Sequence, residues 1–232
     1  MVSFVLPTYN ERGNIIDLIE KIEDISKKNY IMPEIIVIDD NSPDGTSDVV
    51  KKLSKKYSNI RLFIRKGKLG LASAHVLGYR KSRGKIIISM DTDCSHDPKE
   101  IPNFINKINE GYDVVAGSRH IKGSYYEKES INIKVKYLLS KFGNILTTLI
   151  SGVPIHDFTN GYRAFKKEVA DNINIESRGN SFLMEFIVKA HRKGYKLTEI
   201  PVTFFDRKYG KSKIKHGNES IRYFVYLLKW RR

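Results

Sequence analysis

KIIISMDTDCSHDP, residues 85–98, reads as a buried strand that runs straight into a cluster of acids. Ile86, Ile87 and Ile88 form a short β-branched run of the kind found in strands buried on both faces, ending at Met90. Asp91 and Asp93 follow at once, one residue apart, and then Cys94, Ser95, His96 and Asp97. In open α/β sheets ligands bind beyond the carboxyl ends of the strands. An Asp-X-Asp at such an end aims hard oxygen ligands at one spot, as Mg²⁺ or Mn²⁺ requires. Asp and Ser are also common in any turn after a strand, so the motif alone fits a plain turn as well as a metal site.

Outward from this stretch the first half alternates strand and helix. Residues 2–6 and 35–38 are apolar strands, the first followed by Pro7-Thr8-Tyr9-Asn10-Glu11 and the second by Asp39 and Asp40. Asn10 is placed to cap a helix carrying Ile15, Leu18, Ile19, Ile22 and Ile25. A turn at 41–46 leads into a helix to about Tyr57; 61–64 is a strand, 70–82 a helix, 98–110 a helix and 113–116 a strand. This is the pattern of a mostly parallel sheet with right-handed crossovers. No G-x-G-x-x-G and no G-x-x-x-x-G-K-[ST] occurs, which removes the main signatures of dinucleotide and P-loop binding.

The second half differs. Residues 133–151 carry apolar side chains at helical spacing flanked by Lys134, Lys136 and Lys141, which suits either a helix packed on the core or one lying in a membrane interface. DFTNGYRAF (157–165) reads as a turn into a short strand, 182–192 as a helix, and 197–205 as a strand in which Pro201 marks an edge or a break. RKYGKSKIK (207–215) is a basic, glycine-containing loop able to close on phosphates, or a solvated charge run. Residues 221–232 mix Trp230, Tyr223 and Tyr226 with terminal basic residues, the composition of a membrane–water boundary.

The balance of 41 Lys and Arg against 26 Asp and Glu gives a net charge of +15 over 232 residues. Such an excess suits an anionic partner, whether nucleic acid, a phosphorylated ligand or a membrane face. No RRM, KH, zinc-finger or helix-turn-helix signature is present, and carboxylates at strand ends repel phosphate unless a metal intervenes, so no nucleic-acid partner is expected. The single cysteine, Cys94, excludes an intramolecular disulfide and a multi-cysteine zinc site. Met1 runs directly into a strand with no signal-peptide architecture, and the longest stretch free of Asp, Glu, Lys and Arg is too short for a bilayer, so the chain reads as intracellular without a transmembrane helix.

Seven short motifs, LPTYNE (6–11), IVIDDNSPDGT (36–46), GKLGLASA (67–74), MDTDCSHDP (90–98), AGSRHIKGS (116–124), DFTNGYRAF (157–165) and FFDRKYGKSK (204–213), together resemble glycosyltransferase family 2, and within it the dolichol-phosphate mannose synthase branch. The resemblance implies an α/β, Rossmann-like GT-A fold: a single domain with a mostly parallel central sheet flanked by helices and amphipathic interfacial helices in the second half. It implies a nucleotide-sugar half (1–118), an acceptor half (119–215) and a C-terminal amphipathic helix (216–232). It also implies GDP-mannose as donor, a divalent cation (Mg²⁺ or Mn²⁺), dolichyl or another polyprenyl phosphate as acceptor, and the cytoplasmic face of a membrane as workplace. A UDP-sugar donor with the same lipid acceptor is the nearest alternative.

By position, the resemblance puts Pro7, Tyr9, Glu11, Ile38, Asp40 and Lys68 at the nucleoside, with Asp40 accepting hydrogen bonds from base or ribose. Asp91, Thr92 and Asp93 take the metal and diphosphate, with Ser95 where many relatives have Gln. Arg119, Arg207, Ser212 and Lys213 face phosphates, Lys136 sits in the acceptor segment, and Asp157 stands where hydroxyl-acting relatives place a base. Here it is expected to position groups or to act electrostatically, because a phosphate acceptor is already ionised.

Overall fold

In the computed structural model, which describes residues 1–127, 131–205 and 216–231, the chain runs β1 (Val2–Thr8), α1 (Ile15–Lys28), β2 (Pro33–Asp39), α2 (Thr46–Lys56), β3 (Ile60–Ile64), α3 (Leu71–Lys81) and β4 (Ile86–Ser89). It continues through α4 (Ile101–Asn109), β5 (Val114–Ser118), β6 (Tyr125–Tyr126), α5 (Ile131–Ser151), β7 (Arg163–Lys166), α6 (Lys167–Asn172), α7 (Ser181–Arg192), β8 (Leu197–Pro201), β9 (Thr203–Phe204) and α8 (His216–Lys229). Arg207, Ser212 and Lys213 lie outside the described residues, as does the side chain of Lys136.

Strand side chains alternate between two cores, which fixes the sheet as the middle of three layers. Phe4, Leu6 and Val37 point to the face covered by Leu18 and Ile22 of α1, Val50 of α2 and Phe104 of α4. Val5, Ile87 and Phe165 point the other way, onto Tyr79 of α3, Val169 of α6, Phe186 of α7 and Leu227 of α8. Every residue of β1 is buried, so its sequence shows no polar alternation.

The sheet order is β3-β2-β1-β4-β7-β5-β8. β1, β2, β3 and β4 are mutually parallel, and β5 and β8 pair in parallel, while β7 runs antiparallel between β4 and β5. Ser89 faces Arg163, and Arg163 faces Ala116, so the start of β7 lies beside the ends of β4 and β5. A single antiparallel insertion thereby brings the 157–162 turn to the carboxyl edge of strands far away in sequence.

Several boundaries depart from the sequence expectation. Asn10 does not cap α1: it sits at φ +56° and donates its backbone N–H to Ser42 Oγ (2.9 Å), and α1 begins after Asn14. Residues 98–110 divide into a short 3₁₀ turn, Pro98–Glu100, and α4. Pro102 has no N–H to return to Pro98, so the helix restarts one residue before it. The 197–205 strand breaks at Val202: Pro201 ends β8 on the edge of the large sheet, and the chain continues as β9 against β6.

α5 is covered on one side only. Leu138, Leu139, Phe142, Ile145 and Leu149 are exposed, the last by 72%. Phe224, Val225 and Leu228 of α8 are also exposed. The two helices touch through Thr147 Oγ1 and Tyr223 OH (2.9 Å). Among the described residues no helix is long and apolar enough to cross a membrane.

Candidate active site

The ends of β1, β2, β4 and β5 and the beginning of β7 lie on one edge of the sheet, the place where ligands bind in such folds. The Asp91–Asp97 turn is fastened to β1 by Thr92, whose buried hydroxyl donates to Pro7 O (3.0 Å). Asp93 is drawn inward by Ser95, which donates both its N–H (3.1 Å) and its hydroxyl (2.6 Å) to Asp93 Oδ1. Ser95, expected as a metal ligand, is buried, and its hydroxyl donates to Asp93 and orients that carboxylate. Cys94 takes φ +63° in the same turn and packs at the edge of the core.

Asp91 is the more open of the pair, with a side chain 36% exposed. Its backbone N–H donates to His96 Nδ1 (3.1 Å), so the proton of the neutral imidazole lies on Nε2, 3.8 Å from Asp91 Oδ2. Burial holds the His96 pKa below its usual value, which keeps the ring neutral. The ring stacks on Tyr162 at 4.9 Å between centroids. On the far side of Asp91 comes Gly161: a Cβ there would lie 3.0 Å from Asp91 Oδ1. The glycine leaves that carboxylate an open flank.

Asp157 and Arg119 form the second half of the site. Arg119 Nε and Nη2 donate to Asp157 Oδ2 and Oδ1 at 2.7 and 2.9 Å, its backbone N–H adds 3.1 Å, and Nη2 also donates to Thr159 Oγ1 at 2.7 Å. The guanidinium lies 5.2 Å from the Phe204 ring centroid. Burial alone would raise the Asp157 pKa, but the Arg119 charge and hydrogen bonds outweigh it and bring it down to about 2. A carboxylate so stabilised is a poor base at neutral pH. Its geometry suits it to hold Arg119, which agrees with the expected positioning or electrostatic work. The turn carrying Asp157 is itself anchored by Glu199 of β8, which accepts from the His156 and Asp157 N–H groups (2.9 and 3.0 Å), and by Arg163. Arg163 is buried and donates to the carbonyls of Asn160 (2.6 Å) and Leu183 (2.8 Å).

Of the residues expected at the nucleoside, two have side chains engaged within the protein. Asp40 accepts from the Arg65 guanidinium and from the N–H groups of Leu69 and Gly70 (both 3.1 Å). It holds the 65–70 loop and is not an open acceptor for a base or ribose. Ile38 points its side chain into the core with Ile36 and Ala74, so it cannot line the site with that group. Pro7 is buried and reaches the site through its carbonyl. Tyr9 and Lys68 do meet, with Lys68 Nζ 4.3 Å from the Tyr9 ring centroid. Glu11 is buried beside Asn14, whose Nδ2 donates to its carboxylate (2.8 Å).

Sequence reading missed His96, Gly161, Thr159 and the α5 residues Ser140 and Asn144. All the aids lay in the motifs already quoted or in the polar gaps of the 133–151 helix. Only their contacts with Asp91 and Asp157, or in the case of Ser140 with Thr159 and Asn144, give them a role.

The family model for glycosyl transferase family 2 matches residues 3–173. Over 99% of its length the chain is 36% identical to the dolichol-phosphate mannosyltransferase of Pyrococcus furiosus, spanning 64% of that relative's length. Over 92% it is 31% identical to the polyprenol monophosphomannose synthase of Mycolicibacterium smegmatis, of which it covers 81%. Among solved structures it superimposes, at 18% identity and a TM-score of 0.77, on the glucosyl-3-phosphoglycerate synthase of Mycobacterium tuberculosis in complex with Mn²⁺, UDP and glucosyl-3-phosphoglycerate, covering 80% of that chain. That likeness supports the α/β architecture of the sheet and its flanking helices. The chain belongs to glycosyl transferase family 2.

Proposed function

We propose that the chain is an inverting mannosyltransferase that moves mannose from GDP-mannose to dolichyl or another polyprenyl phosphate at a membrane surface. The observation that carries this reading is the bidentate Arg119–Asp157 pair at the same sheet edge as Asp91, a fixed cation beside a strand-end carboxylate pair. The names of the two curated relatives, which join mannose to dolichol phosphate or polyprenol monophosphate, supply the substrate class. In this reading residues 1–118 bind the nucleotide sugar, 119–215 the acceptor, and 216–232 help hold the membrane.

Asp91 and Asp93 would hold the divalent cation, Mg²⁺ or Mn²⁺. The fit rests on the exposure of Asp91 and on the space that Gly161 leaves beside it. Such an ion is commonly held by one or two carboxylates together with substrate phosphates. When bound, the ion supplies Lewis-acid stabilisation of the departing diphosphate.

The chain's own residues do the remaining work. Arg119, oriented by Asp157, screens the repulsion between two anionic reactants and stays charged throughout. An acceptor phosphate oxygen attacks the sugar's C1 as the bond from C1 to the diphosphate oxygen breaks, giving β-linked product from an α-linked donor. A phosphate monoester is mostly dianionic above its second pKa of ~6, so no protein base is required. Arg207, Ser212 and Lys213 are proposed to join the phosphates, and Lys136 the acceptor.

The exposed apolar residues of α5 and α8, with the chain's positive charge, suit the surface of an anionic bilayer. Burying each such side chain is worth about 1.5–3 kcal/mol. Replacing Leu138, Phe142 and Leu149 by Glu together is expected to weaken co-sedimentation with anionic vesicles at least ~10-fold; unchanged binding refutes the membrane contact. Gly161→Ala is expected to stay folded while its methyl crowds Asp91, and titration calorimetry should show Mn²⁺ affinity reduced on the order of 10-fold. Wild-type affinity would remove Gly161 from the site.

The direct test is incubation with labelled GDP-mannose, Mg²⁺ or Mn²⁺ and dolichyl phosphate, with UDP-glucose in parallel, followed by extraction of the lipid phase. Label from GDP-mannose in the lipid is expected. Label from UDP-glucose alone overturns the donor, and none from either overturns the reading.

A further inference from the structure

The two faces of α5 carry opposite chemistry. Outward lie the exposed Leu138, Leu139, Phe142, Ile145 and Leu149. Inward, beside Ile150 packed on the core, lie Ser140, Asn144, Thr147 and Thr148, a largely polar set for the covered side of a helix. The covered side of an ordinary surface helix is its apolar one, so this inversion asks for a reason.

Asn144 supplies it. The residue is buried, its Oδ1 accepts the Phe158 N–H at 2.8 Å, and its Nδ2 lies 3.5 Å from Asp157 Oδ1 and 3.4 Å from Ser140 Oγ. Ser140 Oγ is in turn 3.4 Å from Thr159 Oγ1, the group that accepts from Arg119 Nη2. One side chain of α5 thus grips both the backbone after Asp157 and the carboxylate that clamps Arg119, and its neighbour touches the other acceptor of the same guanidinium. A movement of α5 by ~1 Å away from the turn would carry the contacts of 3.4–3.5 Å outside hydrogen-bond range. Misplacement on that scale is enough to cost on the order of 10²-fold in rate.

We propose that Asn144 is a positioning residue through which α5 sets the Arg119–Asp157 pair, so that seating the apolar face of α5 on a lipid surface raises the rate of transfer. The inference rests on the membrane-surface glycosyltransferase reading above, and adds to it a coupling between surface and site. The outer face and the inner face belong to one rigid helix, so what fixes the first fixes the second. The bilayer is then both the place where the acceptor resides and an element that completes the phosphate grip.

The test uses a two-isoprene alcohol phosphate, water-soluble and therefore independent of vesicles, as acceptor. Turnover of GDP-mannose is measured with and without acceptor-free vesicles of anionic phospholipid. For the wild type the vesicles should raise kcat on the order of 10-fold, with the KM for GDP-mannose changing less than ~3-fold. For Asn144→Ala the ratio with and without vesicles should fall to about 1, whereas a merely structural defect would lower both arms and leave the ratio intact. Ser140→Ala, at a half-buried position, should give an intermediate ratio and stands in if Asn144→Ala does not fold. A wild-type enzyme indifferent to vesicles, or variants that keep the wild-type ratio, overturns the coupling alone. A wild type that transfers no sugar to either this acceptor or dolichyl phosphate overturns the function and the coupling with it.

Discussion

Asp91→Ala is expected to leave the protein folded and to remove sugar transfer by a factor on the order of 10³ or more. The side chain is partly exposed and follows a strand whose burial depends on Ile87 and Ile88, so the fold is not expected to depend on it. The proposed chemistry does: of the two carboxylates at the end of β4, Asp93 is buried and tied to Ser95, and Asp91 is the more exposed. Circular dichroism and thermal melting check the fold, and lipid-phase label from GDP-mannose checks the activity. Wild-type transfer in EDTA, or substantial transfer by the variant, rules out the metal role.

Asp157→Asn is expected to destabilise the protein by about 3–5 kcal/mol and to lower kcat on the order of 10²-fold. The carboxylate is fully buried and the Arg119 side chain only 12% exposed, so removing one charge leaves the other without compensation. The pair also has a pH signature. Asp157 has a folded pKa of about 2 against an ordinary 3.8, so its stabilisation is complete above about pH 4 and is lost as the pH falls toward 2. Urea unfolding of the wild type from pH 5 to pH 2 should show that loss, and the Asn variant should lack this component. A variant as stable as the wild type at pH 7 refutes the argument. Asp157→Asn should also leave the acid limb of activity near pH ~6, where the acceptor phosphate ionises; a limb that vanishes with the carboxylate would make Asp157 a base.

Much of the architecture was legible because strand burial writes itself into composition. The run Ile35–Ile38 is apolar without interruption, Val2–Leu6 is broken only by the buried Ser3, and each ends in a recognisable punctuation of Pro or Asp. The acids at the end of β4 could be found for the same reason. Roles among the acids could not be told apart in this way. Asp40 and Asp91 both follow apolar strands, yet Arg65, Leu69 and Gly70 consume the first while Gly161 leaves the second an open flank. Asn10 looked like a cap because Asn commonly is one, and the contact with Ser42 that turns it to φ +56° comes from 32 residues away.

By itself the sequence determined the strand–helix alternation of the first half, the strand-end position of Asp91 and Asp93, and the family to which the motifs belong, but not β6, α6 or the division of 197–205 into β8 and β9. The tertiary structure alone decided what faces what. β7 inserts antiparallel between β4 and β5, and only that register lays Gly161 against Asp91 and the Asp157 turn against Arg119. It also decided that the polar side of α5 is the covered one, with Asn144 buried on Asp157 and the apolar side left outward. The reason is physical: periodicity encodes whether a residue is buried along its own element, whereas the partner it meets depends on pairings between segments that no local pattern specifies.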